Sequence, residues 1–274
     1  MIGLARGVHL LATIVTLGTI RVPAFKRRVR RLANACSRMA LRLRAKSYTS
    51  EGEPVTLIVS PHQDDDVLGC GGLIARKRLD GYPVHVAYIT DGSASHKAHP
   101  ALTPAAVTHL RNTEARAALR KLGVETPAIH FLGAQDGTLA HLSPDQAAVV
   151  VRQLREVIDR VRPDEIFTPC RKDGSSEHEA SFGLLTLALG AGPRHARLYE
   201  YPVWSWWNPV LLVRPYFTSR RVVSFNFKGY GFLKQAALAC HRSQFEPTPP
   251  WTKPVIAPDF TALFAGDEEF YFEI

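Results

Sequence analysis

Short apolar runs alternate with longer amphipathic runs through the middle of this chain. The apolar runs predict buried strands, and the helically periodic runs between them predict helices. The predicted strands are residues 55–60, 84–90, 128–133, 165–169 and 197–203, and the predicted helices are residues 67–80, 104–122, 143–161 and 179–190. Strands that alternate with helices in this way are typical of a Rossmann-like, doubly wound α/β fold with a mostly parallel sheet.

Charge separates the start of the chain from the rest. Residues 1–50 hold 11 Lys and Arg residues and no acidic residue, whereas the remainder holds 23 basic and 25 acidic residues. The whole excess of positive charge therefore comes from the first segment, and a basic nucleic-acid groove across the remaining chain is not supported. We expect residues 1–50 to form an N-terminal helical extension, separable from the chemistry, and residues 51–274 to form one domain.

The N-terminal segment has an apolar part and a basic part. Residues 7–20 are uncharged, but a run of 14 residues is short for a membrane span, which needs about 20. A basic amphipathic helix is predicted next, with one apolar face made of Val29, Leu32, Cys36, Met39 and Leu43. Such helices lie on anionic membrane surfaces.

We therefore expect a cytoplasmic protein that rests on, or is anchored to, the inner membrane through residues 1–50. Dense positive charge directly after the apolar run disfavours translocation, which argues against a cleavable signal peptide. A nucleic-acid-binding arm, or a helix that packs on the domain, would also fit this pattern.

Candidate chemistry begins where the first predicted strand ends. His62, Asp64 and Asp65 follow residues 55–60 directly, and glycines and a predicted helix come next. Open α/β sheets place their active sites at the carboxyl ends of strands, and imidazole and carboxylate groups are ligands for divalent metals. A solvated acidic turn, with Asp66 near the helix N-terminus, is the alternative. The histidine three residues before Asp65 favours a metal site.

A second half-site follows a later strand. His178 lies beyond residues 165–169 and at the start of a predicted helix. A catalytic zinc site uses three protein ligands and keeps one open position. If the two strands are neighbours, His62, Asp65 and His178 supply that number of ligands.

These motifs resemble those of the PIG-L/LmbE-like zinc-dependent de-N-acetylase family. Pro61-His-Gln-Asp-Asp-Asp66 is similar to the family signature Pro-His-Pro-Asp-Asp-Glu, and Ser175-Ser-Glu-His178 takes the place of His-Pro-Asp-His. Shorter matches follow in family order: Thr90-Asp-Gly92, Arg111 with Glu114, Leu122-Gly-Val124, Phe131-Leu-Gly133, Asp136-Gly137, and Lys234 with His241-Arg-Ser-Gln244. Together the matches span about residues 54 to 245.

The resemblance implies a hydrolase that removes acetyl from an N-acetylated amino sugar, such as an N-acetylglucosaminyl glycan or glycolipid. It assigns a zinc ion, or another divalent metal, to His62, Asp65 and His178, and a general-base role to Asp64. It also suggests that Asp136 accepts hydrogen bonds from sugar hydroxyls, with an ordinary Asp-Gly turn as the alternative. Arg111 contacts either the substrate or, in a helical ion pair, Glu114.

Three residues depart from the family pattern. Gln63 and Asp66 replace residues that are not metal ligands, whereas Ser175 replaces a histidine thought to stabilise the oxyanion or to protonate the leaving group. Either another residue compensates, with Arg171, Lys172, His96 and His99 as candidates, or the chain is a weakened, sugar-binding member of the family. A basic adaptor for membranes or nucleic acid is the third hypothesis, and it predicts binding that chelators do not affect.

Overall fold

The structure, a computed structural model, describes residues 23–49, 52–190 and 196–274. Within these residues the strands are β1 (Lys46–Ser47), β2 (Thr56–Ser60), β3 (Val84–Thr90), β4 (Ile129–Ala134), β5 (Glu165–Pro169), β6 (Arg197–Tyr201), β7 (Arg221–Asn226) and β8 (Glu268–Glu273). The α-helices are α1 (Pro23–Arg42), α2 (Asp65–Leu79), α3 (Pro104–Lys121), α4 (Pro144–Val161), α5 (Ser176–Leu189), α6 (Trp204–Trp207), α7 (Pro215–Thr218), α8 (Gly231–Leu238), α9 (Arg242–Phe245) and α10 (Pro258–Thr261).

The strands form one sheet in the order β1-β7-β8-β6-β5-β2-β3-β4. Every pairing is parallel except those of β8, which runs antiparallel to both β6 and β7. One apolar core lies on each face of the sheet. The predicted α/β fold with a mostly parallel sheet and an N-terminal helix is confirmed, with small shifts at the ends of the predicted strands and helices.

The strands that precede the two half-sites are neighbours. β2 pairs with β3 on one side and with β5 on the other, so that Thr56 lies opposite both Val84 and Glu165. After β2 the chain forms β3 and β4 on one side of β2, and it forms β5 and β6 on the other side later. A crevice opens at the carboxyl ends of strands at such a switch point, which is where doubly wound folds bind their ligands.

Helix α2 carries the acidic motif and is held closely against the sheet. A side chain at Gly69 would collide with the ring of Tyr201, and one at Gly72 would collide with the ring of Phe227. Lys234 Nζ donates to the Leu68 carbonyl at 2.9 Å, and Lys234 also pairs with a buried carboxylate, Glu269, at 2.8 Å. These contacts fix the helix whose first turn enters the site.

Helix α1 packs on the domain rather than extending away from it. Val29, Ala33 and Leu41 are buried, and Arg42 Nε lies 2.6 Å from Glu268 Oε2. Farther along the chain, β1 pairs with β7 and joins the sheet. The N-terminal segment thus contributes to the fold from residue 27 onward, because its small and apolar residues face the domain.

The predicted apolar face of α1 is mostly in solvent. Leu32, Met39 and Leu43 are 53%, 49% and 69% exposed. The predicted apolar run at residues 7–20 lies outside the described residues. None of the helices in the described part of the chain combines the length and apolar character that a membrane span requires.

Candidate metal centre

Three side chains from two strand ends meet at the switch point. His62 follows β2, Asp65 begins α2, and His178 lies in the first turn of α5, which follows β5. One ligand atom from each lies within 4.8 Å of the other two. Asp65 Oδ2 lies 3.0 Å from His62 Nδ1 and 3.2 Å from His178 Nε2. The structure therefore brings together the three residues that the sequence suggested as ligands.

The acidic motif is buried. Asp64, Asp65 and Asp66 are 3%, 3% and 0% exposed, so the alternative of a solvated acidic turn is not what the structure has. Asp66 accepts a hydrogen bond of 2.9 Å from the hydroxyl of Tyr88, and burial raises its pKa to about 7. Carboxyl groups are buried in such numbers only where other groups pair with them.

A carboxylate orients the ring of His178. Asp173 Oδ2 lies 2.8 Å from His178 Nδ1, and Asp173 also accepts hydrogen bonds from the backbone N–H groups of Val203, Trp204 and Ser205. With Nδ1–H donated to Asp173, Nε2 carries a lone pair once the ring is deprotonated. In the parts of the chain that the structure describes, this buried Nε2 faces Asp65 Oδ2 at 3.2 Å without well-aligned hydrogen-bond geometry. An available imidazole nitrogen beside a carboxylate suits a divalent metal.

His62 is oriented in the same way. Its Nε2 lies 2.7 Å from Glu177 Oε2 and 3.2 Å from Asp136 Oδ1, which leaves Nδ1 facing Asp65. Glu177 is held by the Leu139 N–H at 3.0 Å. A second group of ligand atoms, within 4.8 Å of one another, comes from His62, Asp136 and Glu177. This group shares His62 with the first one. We interpret these two carboxylates as orienting partners of the His62 ring.

The site carries strongly shifted pKa values. Burial alone would lower the pKa of His62, but hydrogen bonds with Asp136, Asp65 and Glu177 outweigh it and raise the pKa well above its usual value. For His178, burial would likewise lower the pKa, but the charge of Asp65 outweighs it and raises the pKa to about 9. Both rings therefore bind a proton readily when no metal is present. Because a divalent cation would compete with the proton for the same nitrogens, metal binding should release protons.

Asp64 lies beside the metal-ligand group and pairs with Arg111. An Arg111 guanidinium nitrogen lies 3.2 Å from Asp64 Oδ1, and Arg111 also donates to the Gly92 carbonyl. Burial raises the pKa of Asp64 to about 6, although the charge of Arg111 opposes this rise. The alternative of a helical ion pair between Arg111 and Glu114 is wrong, because Glu114 instead accepts two hydrogen bonds from Ser243.

Ser175 precedes α5, and its side chain makes no capping hydrogen bond to that helix. The residues suggested as substitutes for the family histidine contact other groups: His96 contacts Thr248, His99 contacts Pro249, Arg171 contacts Glu200, and Lys172 contacts Glu179. These contacts favour structural roles for all four residues.

The sequence interpretation missed the orienting roles of Asp173 and Glu177. Both residues lie within five positions before His178, in the turn between β5 and α5 or at the start of that helix. Carboxylates that flank a predicted metal-binding histidine are the signal that could have identified them, since ligand histidines usually donate their second N–H to such a group.

Replacing Glu177 by glutamine tests the orienting role. The amide keeps the shape and can still bond to the Leu139 N–H, but it loses the charge that supports His62. Metal affinity should fall about 10- to 100-fold, the usual cost of losing such a partner. Glu179→Gln is the matched control, because the contacts of this neighbouring carboxylate are with the Gly174 N–H at 3.3 Å and with Lys172 at 3.8 Å. Equal zinc affinity of both variants in a competition titration with a chelator would contradict the role.

A protein-family model matches the segment of the chain that holds this site. Residues 57–189 match the family model PIG-L, described as GlcNAc-PI de-N-acetylase. The matched segment contains His62, Asp64, Asp65 and His178. Among curated proteins, none matches the chain significantly in sequence.

Solved structures share the fold. The conserved protein TT1542 from Thermus thermophilus is 27% identical, with a TM-score of 0.50, and the match covers 70% of this chain and 80% of that one. The hydratase GalB from Pseudomonas putida is 23% identical, with a TM-score of 0.55 and coverage of 70% and 80%. N,N'-diacetylchitobiose deacetylase from Pyrococcus horikoshii is 20% identical, with a TM-score of 0.56 and coverage of 84% and 82%.

The fold, the order of the motifs and the family model agree. The switch point between β2 and β5 holds the signature residues, and the matched segment runs from β2 to the end of α5. Residues 57–189 match the PIG-L family model, which confirms the resemblance to this family that the sequence motifs indicated.

Proposed function

We propose that this protein is a metal-dependent hydrolase that removes the acetyl group from an N-acetylated amino sugar. The match of residues 57–189 to the PIG-L family model supports a de-N-acetylase. The observation that carries the metal dependence is the meeting of His62, Asp65 and His178, with one ligand atom of each within 4.8 Å of the other two.

The proposed metal ligands are two imidazoles and one carboxylate. This set suits zinc in a catalytic site that keeps one position open. When bound, such a cation polarises the acyl oxygen and lowers the pKa of water to about 7. Asp173 and Glu177 hold the two rings in the required orientation from their outer sides.

Asp64 is the proposed general base. It is buried and adjoins Asp65, and its pKa of about 6 suits a group that must accept a proton near neutral pH. In the proposed reaction Asp64 takes a proton from the attacking water as the water oxygen bonds to the acyl carbon. The bond from carbon to nitrogen then breaks, the nitrogen receives that proton, and acetate and a free amine are released. Arg111 fixes the position of the Asp64 carboxylate.

The neighbouring structures carry names of different activities. The Pyrococcus neighbour is named for deacetylation of a chitobiose derivative, whereas GalB, with the same fold, is named as a hydratase. Asp136 accepts a hydrogen bond from the Ala94 N–H and faces His62. Its surroundings favour orientation of His62 over the suggested contact with a sugar hydroxyl.

The test is a screen of N-acetylglucosamine conjugates with the zinc-loaded full chain. Acetate and free amine should appear in equal amounts, and removal of metal with a chelator should stop both. A chain that binds these sugars without releasing acetate would instead support the weakened sugar-binding member. Acetate release that the chelator does not change would show that the activity needs no metal.

We also propose that α1 contacts an anionic membrane surface. It is supported by the exposed stripe of Leu32, Met39 and Leu43, next to the exposed basic residues Arg28 and Arg31. Apolar side chains flanked by arginine are typical of helices that lie in a membrane interface.

Replacing Leu32, Met39 and Leu43 together by serine should weaken binding to phosphatidylserine vesicles at least tenfold, because burial of each side chain is worth about 1.5–3 kcal/mol. Leu187→Ser is the control, since Leu187 is 61% exposed on α5. Sedimentation with vesicles measures the difference. Equal binding of the triple variant and the unchanged chain would show that this stripe does not contact the membrane.

A further inference from the structure

A groove outside the metal centre lies between helix α1 and residues 259–268. Its volume is about 350 Å³, within the range of about 300–1,000 Å³ that is usual for small-molecule sites. Three basic side chains of α1 face three acidic side chains of the other segment across it. These residues are Arg31, Arg38 and Arg42 on one wall and Asp259, Asp267 and Glu268 on the other. The groove therefore holds both signs of charge in equal number, on opposite walls.

The charged groups of the groove are available to a ligand. The side chain of Arg31 is 71% exposed and lies 4.0 Å from Asp259, so this ion pair is loose. Asp267 is exposed as well. Exposed ion pairs contribute little free energy, so a ligand that satisfies both partners can replace such a pair at small cost.

A buried amide of α1 also lines the groove. Asn34 is 4% exposed, and its Nδ2 donates to the Arg30 carbonyl at 3.1 Å. Its Oδ1 has no hydrogen-bond partner in the part of the chain that the structure describes. Nearly all buried polar atoms in folded proteins are paired, so an acceptor without a partner beside a groove indicates a donor that a ligand supplies. The ligand should therefore carry N–H or O–H donors next to an anionic group that suits the arginines.

The groove opens beside the exposed apolar stripe of α1. Each residue of the stripe directly follows a groove residue of the helix, in the pairs Arg31-Leu32, Arg38-Met39 and Arg42-Leu43. Successive residues of an α-helix are about 100° apart around its axis, so the two rows lie side by side. A membrane that contacts the stripe therefore brings its headgroups to the groove.

We infer that this groove binds the phosphoethanolamine headgroup of a membrane lipid. The phosphodiester pairs with the arginines of α1, which suit phosphate oxygens, and the ammonium donates to Asn34 Oδ1 and to the acidic wall. The headgroup is a zwitterion without net charge, as the groove requires. Its ammonium has N–H donors, which the trimethylammonium group of choline lacks. The inference rests on the proposed contact of α1 with a membrane and does not depend on the proposed deacetylation.

The principal test compares vesicles of phosphatidylcholine with and without added phosphatidylethanolamine, because neither kind carries a net charge. The full chain should bind the vesicles that contain phosphatidylethanolamine about tenfold more tightly, the usual effect of one hydrogen bond to a charged group. Soluble glycerophosphoethanolamine should compete for this binding, whereas glycerophosphocholine should not. Sedimentation with vesicles measures both effects.

Asn34→Leu tests the groove itself. Leucine fills the same space without the acceptor, and because the change removes an unpaired buried atom, the variant should stay folded. Its preference for phosphatidylethanolamine should fall about tenfold. Asp259→Asn, which neutralises one carboxylate of the acidic wall, should lower the preference as well. Arg28→Gln is the matched control and should keep the preference, because Arg28 is an exposed basic residue of α1 that does not line the groove.

Equal binding of the unchanged chain to both kinds of vesicle would overturn the inference. A preference without competition by glycerophosphoethanolamine would do so too, because lipid packing and not the headgroup would then explain it. Binding of the soluble headgroup without a vesicle preference would show that the ligand is not a lipid. A preference that persists in both Asn34→Leu and Asp259→Asn would place the headgroup outside the groove.

The other proposals fail by different results. Vesicle binding that the triple serine variant of the stripe does not change counts against the stripe, and a chain that releases no acetate from any conjugate counts against the deacetylation. Competition by the soluble headgroup depends on neither, so it decides the role of the groove in each case.

Discussion

Replacing Asp65 by alanine is expected to abolish both metal binding and acetate release. Asp65 Oδ2 lies between the ring nitrogens of His62 and His178, and those two rings hold the pKa of Asp65 well below its usual value against the effect of burial. Without this carboxylate the two histidines, both readily protonated, would face each other without the negative charge between them. The loss of an orienting residue is expected to lower metal affinity about 10- to 100-fold, and the loss of Asp65 should lower it further.

Zinc content after dialysis and the rate of acetate release measure this effect. Asp145→Ala is the control, because Asp145 is an exposed carboxylate in the first turn of α4, just as Asp65 lies in the first turn of α2. Thermal unfolding confirms that the variant is folded. An Asp65 variant that keeps stoichiometric zinc and full turnover would rule out Asp65 as a ligand.

Replacing Asp64 by asparagine should separate catalysis from metal binding. The amide can still face Arg111, but it cannot accept the proton of the attacking water. Turnover should fall about 10²- to 10⁴-fold, the range for a general base, while zinc content and the fold are kept. Undiminished acetate release with equal zinc content would show that the base lies elsewhere.

The pH dependence of the unchanged chain gives a second measure of Asp64. Burial raises its pKa to about 6, and the base acts only in the deprotonated form. The value of kcat/KM should therefore fall as the pH drops below about 6, and a bound cation would move this fall to lower pH. Asp64→Asn should lack this acid limb.

The central fold could be predicted because its signals are local. Each strand from β2 to β5 is a short apolar run, and a longer helix with its own periodicity comes before the next strand, with end signals such as Ser143 and Gln146 at the start of α4. The placement of β8 between β6 and β7 could not be predicted, because it depends on pairing between segments that are distant in the chain.

The position of α1 shows a different limit. Periodicity selects one apolar face, made of Val29, Leu32, Cys36, Met39 and Leu43. Of these, Val29 is buried, but Leu32, Met39 and Leu43 are exposed, and the buried face contains Ala33 and the polar Ser37. A helix with several small residues can pack closely through them, and hydrophobicity alone does not reveal which face a partner will cover. The contact of Arg42 with Glu268 likewise joins segments that lie far apart in the sequence.

The three candidate ligands could be predicted because each lies close to the end of a strand. His62, Asp65 and His178 stand directly after apolar strands or at the start of the next helix, so topology alone brings them to one edge. His241 comes from a motif in the last part of the chain that follows no strand, and α8, just before it, packs on α2 and α3. No local pattern predicts that its ring is buried without a partner among the described residues.

A metal titration of the chelated chain tests the central claim most directly. Acetate release from an N-acetylglucosamine conjugate should be absent without metal and should rise in proportion to added zinc until about one ion is bound per chain. The His178→Ala chain should stay inactive at that zinc concentration. Full acetate release by the metal-free chain, or unchanged zinc-dependent release by His178→Ala, would contradict the metal centre described above.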